Sequence, residues 1–440
     1  MSEPVKSRAR GLLFAGLGLA GLLLFAAGLL SAPYLRPWFA QSWFAELWRG
    51  APTDSPFTLE QLPITALPGW QAEDFAGFLS AFTRSCALLS RLPDDRPMGP
   101  HAEFGTVAAW RPACAAASSL ADATPGRAAI AQFLTSEFAA FALRPTDPQD
   151  GLFTGYYEPE LAGSLIRRPG FTVPLHAPPD DLVMVDLGAF RPALRGQRIA
   201  GRVASGRLQP YQDRAAIARG EGVDAARVLV WLADPVDAFF LHIQGSGRIR
   251  LHEGGVMRVG YAADNGHVYA AIGRRLIEIG AVPRAEMSMQ AIRAWLENNP
   301  DRQAEIFAYN PAYIFFRELP RSDDRSAGPL GAQGVPLTPR RSLAVDRGIY
   351  PLGVPVWIDS FAPTGADGKS EPFQGLLVTQ DTGSALKGSV RGDVFWGSGD
   401  DAGAIAGRMA ASGRIFILLP RPRAQQPAGT GQTIGAADGK

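Results

Sequence analysis

Near its C-terminus the chain reads Leu343-Ala344-Val345-Asp346-Arg347-Gly348-Ile349-Tyr350-Pro351-Leu352-Gly353, then Gln380-Asp381-Thr382-Gly383-Ser384-Ala385-Leu386-Lys387-Gly388, then Gly392-Asp393-Val394-Phe395-Trp396-Gly397. Three aspartates sit here among apolar residues and glycines, where an ordinary solvated charge would not be placed. Asp346 follows and Asp393 precedes apolar β-formers, and the glycines after Asp381 permit tight turns. The pattern predicts a small barrel with carboxylates at its rim, the layout of an active site.

Working outward, four upstream segments carry the same mixture of aromatic, glycine and polar residues: Gly155-Tyr156-Tyr157-Glu158-Pro159, Phe239-Phe240-Leu241-His242-Ile243-Gln244-Gly245-Ser246-Gly247-Arg248, Gly260-Tyr261-Ala262-Ala263-Asp264-Asn265-Gly266-His267 and Ser288-Met289-Gln290-Ala291-Ile292-Arg293-Ala294-Trp295-Leu296. With the C-terminal pattern of Asp, Pro-Leu-Gly, Asp-x-Gly-x-Ala-x-x-Gly and Asp, they resemble, in order, the membrane-bound lytic murein transglycosylase A (MltA) family and its three-aspartate (3D) domain. The resemblance runs from about residue 151 to 420.

Periodicity alone gives an α+β chain with two β-rich regions. The resemblance implies a mainly β fold in which a double-psi β-barrel domain, residues 58–158 plus 286–420 with its 3D segment at 338–410, holds a second, smaller β-barrel inserted at 159–285. It also implies N-terminal helices and a groove suited to a polymeric sugar. The implied reaction is cleavage of the β-1,4 bond between N-acetylmuramic acid and N-acetylglucosamine in peptidoglycan, a lyase chemistry. The C6 hydroxyl of the muramyl residue closes a 1,6-anhydro ring, so one carboxyl serves first as acid and then as base. The third aspartate has that role in the family, and it maps onto Asp393. Its apolar neighbours Val394, Phe395 and Trp396 favour a neutral, proton-donating carboxyl.

Asp381 is expected to support the site, accepting hydrogen bonds from amides of the 383–388 turn or orienting Asp393. Asp346, before its Pro-Leu-Gly turn, reads as structural. Lys387 either pairs with Asp346 or Asp381 or is solvated. Tyr156 and Tyr157 either stack on sugar or pack in the core. Gln244 and Ser246 follow an apolar run and either bind sugar hydroxyls from a loop or mark a bulged strand end. Asp400 and Asp401, between glycines, read as a solvated turn.

Composition narrows the classes further. A chain of 440 residues exceeds one ordinary core, and 49 glycines and 36 prolines imply frequent turns. With 43 basic against 42 acidic residues there is no global field for nucleic acid. His101, His176, His242, His252 and His267 lack metal-ligand pairing, so neither metal nor cofactor is expected. A single Asp-Thr-Gly, at Asp381, argues against an aspartic protease, which needs two such aspartates. A non-catalytic peptidoglycan-binding scaffold and a two-carboxylate muramidase remain as alternatives.

Lys6, Arg8 and Arg10 precede an uncharged run from Gly11 to Leu30, which as a helix spans about 30 Å. Residues 1–32 therefore read as a membrane anchor or a signal segment. Basic residues ahead of the run place the rest of the chain across the membrane, at the periplasmic face of the inner membrane or, after cleavage, in the periplasm. The length of the run favours the anchor. The best-known family members are lipoproteins, but no cysteine comes directly after this run, so attachment would come from the helix, with cell-wall synthesis or degradation complexes as candidate partners. The two cysteines, Cys86 and Cys114, either pair or are separate buried thiols.

Residues 33–57 read as a linker and 421–440 as a disordered tail. Helical spacing predicts helices over 72–91, 102–118, 125–143, 268–279 and 288–297. The apolar runs 182–185, 228–232 and 239–243 read as strands.

Overall fold

The structure is a computed structural model that describes residues 55–146, 151–194, 197–224, 227–320, 328–364, 369–383 and 385–422. The run Gly11–Leu30, most of the expected linker and nearly all of the expected tail lie outside the described residues. Among the described residues, no helix is long and apolar enough to cross a membrane.

Strands dominate. One sheet has nine, in the order β1 (Phe57–Leu62), β2 (Phe138–Pro145), β18 (Arg414–Pro420), β14 (Pro355–Pro363), β15 (Ser370–Asp381), β13 (Ser342–Val345), β16 (Arg391–Ser398), β3 (Leu152–Glu158) and β17 (Ala410–Ala411). The pairs β13–β15 and β16–β3 are parallel, so this sheet is mixed. Helices α1 (Phe78–Leu89), α2 (Val107–Asp122) and α3 (Arg127–Glu137) contribute Phe78, Phe82, Trp110 and Leu134 to its large core, which also holds Phe153, Leu343, Val345, Val356 and Val394. Cys86 on α1 and Cys114 on α2 are disulfide-bonded, with Cα atoms 5.3 Å apart, within the usual span.

A second sheet of six strands, in the order β12 (Ile314–Glu318), β11 (Val256–Asp264), β10 (Ser246–Leu251), β4 (Glu160–Ser164), β9 (Val228–Leu232) and β5 (Val173–His176), is built from the sequence between β3 and β13. Its last strand lies beyond the expected boundary at residue 285, because β12 pairs with β11 from Val259 to Asp264. A three-stranded antiparallel sheet joins β6 (Leu182–Asp186), β7 (Arg198–Ala204) and β8 (Arg207–Pro210). The same stretch carries α4 (Arg214–Ala218), α5 (Pro235–Gln244), α6 (Ile272–Glu278), α7 (Met289–Asn298) and α8 (Gln303–Ala308); α9 (Gly399–Ala406) comes after β16.

Three local expectations are corrected. The run 239–243 is not a strand but lies inside α5. Asp234 caps that helix, its Oδ1 accepting from the Val236 and Asp237 amides; Pro235 occupies the first turn, and Gly245, at φ 77°, ends it. Ala238 and Leu241 face one core while Val236, Phe239 and Phe240 face another, so the helix is apolar on two sides and shows no single stripe. The helix expected over 125–143 stops at Glu137, because from Phe138 the chain pairs with β1 and β18, and that pairing overrides the three- and four-residue spacing. The helix expected from residue 72 begins at Phe78. Ahead of it the chain makes a turn in which Phe75 has φ 58° and its amide donates to Glu73 Oε1.

Candidate active site

β13 runs between β15 and β16, and one face of this part of the sheet faces the large core through Leu343, Val345, Val394 and Phe153. Alternation puts the intervening residues on the other face. There Ala344 stands opposite Asp381 on β15 and opposite Asp393 on β16, and Asp393 in turn stands opposite Thr154 on β3. The result is one cross-strand row: Asp381, Ala344, Asp393, Thr154. The methyl of Ala344 is the smallest side chain that could separate the two half-buried carboxylates. A register irregularity between Leu343 and Ala344 lets β15 skip Gln380 and bring Asp381 into the row.

Asp393 Oδ1 accepts a hydrogen bond from the Thr154 hydroxyl at 2.7 Å, and Thr154 Oγ1 accepts from Arg391 Nη2 at 2.9 Å. Burial pushes the Asp393 carboxyl up to about 6. The Thr154 hydrogen bond and the Arg391 charge pull the other way, and the Asp381 charge adds to the rise. Asp381 accepts from the Ala332 amide at 2.8 Å, the Thr382 amide at 2.9 Å and the Tyr156 hydroxyl at 2.8 Å. Burial raises its carboxyl above the ordinary range despite these three donors. Tyr156, Leu337, Ala344, Leu386 and Phe395 form a small apolar cluster beside the carboxylates. That cluster supplies the low-dielectric setting that lets Asp393 hold a proton.

Thr154 and Arg391 are site residues that motif reading did not single out. Each lies two positions from a residue that was, Tyr156 and Asp393 respectively, and therefore on the same strand face. That period was the available signal.

The remaining candidates have other partners. Asp346 accepts from the Gly348 amide at 2.9 Å and the Gly388 amide at 3.1 Å, which ties the end of the 383–388 turn to Asp346; among the described residues of that turn, no amide donates to Asp381. Lys387 is exposed, with Nζ 3.7 Å from Asp346 Oδ1, so of its two expected carboxylate partners it lies beside Asp346. Tyr156 is buried and engaged through its hydroxyl. Tyr157 is buried against α9, with Ala402 and Ala406. Gln244 ends α5, its Oε1 accepting the Tyr157 amide at 3.0 Å, and Ser246 is the buried first residue of β10; neither lies on a loop after a strand. Asp400 and Asp401 occupy the first turn of α9, where a helix N-terminus favours carboxylates, instead of a free turn. Among the described residues, no group of three or more His, Cys, Asp or Glu is placed to hold a metal.

The two large sheets meet at Glu158. This last residue of β3 is fully buried, and its carboxylate accepts from Arg248 Nε at 2.8 Å, Arg258 Nη2 at 3.0 Å and Ser398 Oγ at 2.9 Å. Gly155 is required nearby, since a Cβ there would stand 2.7 Å from the Trp396 ring and 2.8 Å from Ala406 Cα. The site is thus backed by one sheet and bordered by the sheet inserted into it.

A sheet that carries paired aspartates and is interrupted by a second sheet defines a 3D-domain protein with an insert, and comparison with known proteins agrees. Residues 152–317 match the MltA specific insert domain and residues 341–419 the 3D domain. The membrane-bound lytic murein transglycosylase A of Escherichia coli (strain K12) is 32% identical over 280 residues, 62% of this chain and 66% of that relative's own length. The crystal structure of a membrane-bound lytic murein transglycosylase from Agrobacterium tumefaciens matches with a TM-score of 0.70 at 32% identity, covering 82% of this chain and 98% of that one. The crystal structure of E. coli MltA with bound chitohexaose matches with a TM-score of 0.59 at 25% identity, over 84% and 95%. The chain belongs to the MltA family.

Proposed function

We propose that the protein is a lytic transglycosylase that cleaves the β-1,4 bond between N-acetylmuramic acid and N-acetylglucosamine in peptidoglycan and leaves 1,6-anhydromuramic ends. The observation that carries this reading is Asp393, a half-buried carboxyl raised to about 6, standing in one row with a second carboxylate. In the first step Asp393 gives its proton to the glycosidic oxygen as the bond from that oxygen to the muramyl C1 breaks. In the second, the C6 hydroxyl oxygen bonds to C1 and its proton passes to the Asp393 carboxylate, which restores the acid without water or any other reactant. Asp381 favours the protonated acid through its charge and faces the oxocarbenium ion across Ala344; Tyr156 positions Asp381.

The nine-stranded sheet is, on this reading, the double-psi barrel, and Tyr157, Gln244 and Ser246 border the glycan groove from the junction of the two sheets. The uncharged run Gly11–Leu30 tethers the chain with its catalytic part on the periplasmic side. Relatives are named membrane-bound, and one solved relative holds chitohexaose, a β-1,4-linked amino-sugar chain. The test is the end formed on purified glycan strands. A product lighter by one water than its hydrolysed equivalent supports the reading. Reducing ends would instead favour a muramidase using Asp381 with Asp393, an alternative that their shared face keeps in view.

A further inference from the structure

The cross-strand row of the active site does not end at Thr154. Thr154 stands opposite Ala410 on β17, the edge strand of the nine-stranded sheet. Neighbouring strands lie about 4.8 Å apart, so the Ala410 backbone is about 10 Å from that of Asp393, on the same sheet face. Beyond this edge opens a pocket of about 550 Å³ between the Gly407–Ala410 segment and helices α6 and α7. Its wall is apolar, with Ile277, Met287 and Ile292, and three arginines, Arg274, Arg284 and Arg408, line it. None of the three has an ion-pair partner among the described residues. The one carboxylate in the lining, Glu278, is 3.9 Å from Arg275. An apolar wall with unneutralised guanidinium groups suits a ligand that joins aliphatic side chains to free carboxylates.

We infer that this pocket receives the acidic peptide attached to the muramyl residue at the cleaved bond. The inference rests on the glycan-cleaving reading, because that substrate carries a short peptide bearing free carboxylates on its muramyl residues. The peptide leaves the sugar beside the bond that Asp393 attacks, and the pocket begins two strands away along the same row. The pocket is thereby a specificity site: it selects strands that still carry peptide and leaves the chemistry at Asp393 unchanged.

The experiment uses the full chain and a double variant, Arg274→Glu with Arg284→Glu, both exposed side chains on the far wall of the pocket. Cleavage of peptide-bearing strands is compared with cleavage of the same strands stripped by an amidase, and binding of the released free peptide is measured by calorimetry. The expected result is a kcat/KM about tenfold higher on peptide-bearing strands for the unaltered chain, a preference lost in the variant, and equal rates for both proteins on stripped strands. An unaltered chain without preference, or a variant that keeps it, overturns the inference. If neither peptide-bearing nor stripped strands are cleaved, it is the glycan-cleaving reading that fails. Calorimetry then decides the pocket by itself: peptide bound by the unaltered chain and not by the variant supports it, and no binding overturns it.

Discussion

At the residue scale the account depends on how Asp393 keeps a proton near neutral pH. With its carboxyl at about 6, activity on short substrates should fall about tenfold per pH unit above 6, a limb that a pH profile of kcat/KM reads directly. The Thr154 hydrogen bond favours the charged form, so Thr154→Val should raise the carboxyl further and move that limb to higher pH. An unmoved or lowered limb would contradict the relay from Arg391 through Thr154. Stability has the matching sign. A folded-state value raised from 3.8 to about 6 means that the stabilising contribution is complete below pH 4 and lost as pH rises through 6, on the order of 3 kcal/mol. Asp393→Asn removes that loss, so at pH 7 its melting temperature should equal or exceed that of the unaltered chain. The aspartates were legible in the sequence because they sit in a spaced motif. Thr154 was not, since its role arises only from the register of β3 against β16, whose residues are 239 positions apart.

At the element scale, two cross-links hold pieces together that local sequence does not connect. Glu158 joins the end of β3 to β10, β11 and the end of β16. Glu158→Ala leaves two largely buried arginines without their carboxylate, and a loss of about 3–5 kcal/mol in denaturant unfolding is expected. A loss under about 1 kcal/mol would show that the cluster does not hold the sheets. The Cys86–Cys114 bond closes a 28-residue separation between α1 and α2, and its removal in a double alanine variant should cost about 3–4 kcal/mol. Strands at 182–186 and 228–232 were readable from short apolar runs. The run at 239–243 was misread because a short apolar run fits either period, and a helix buried on two sides has no polar stripe to decide between them. The Asp234-Pro235 start and the Gly245 stop were the available signals.

At the scale of the whole molecule, β12 returns to the six-stranded sheet only after α6, α7 and α8, a long-range pairing that no local sequence signal marks. The proposed tether predicts that the chain stays with membranes until detergent is added and retains Gly11–Leu30 by intact-mass measurement; a mature chain beginning near Leu29 would contradict it. The central claim is that one carboxyl carries the proton both ways in glycan cleavage. Its most direct test is the cleavage rate of Asp393→Asn on purified glycan strands, read beside glycan binding and a melting curve. The account predicts a rate lower by about 10³-fold or more, with binding and fold retained; cleavage at the unaltered rate would contradict it.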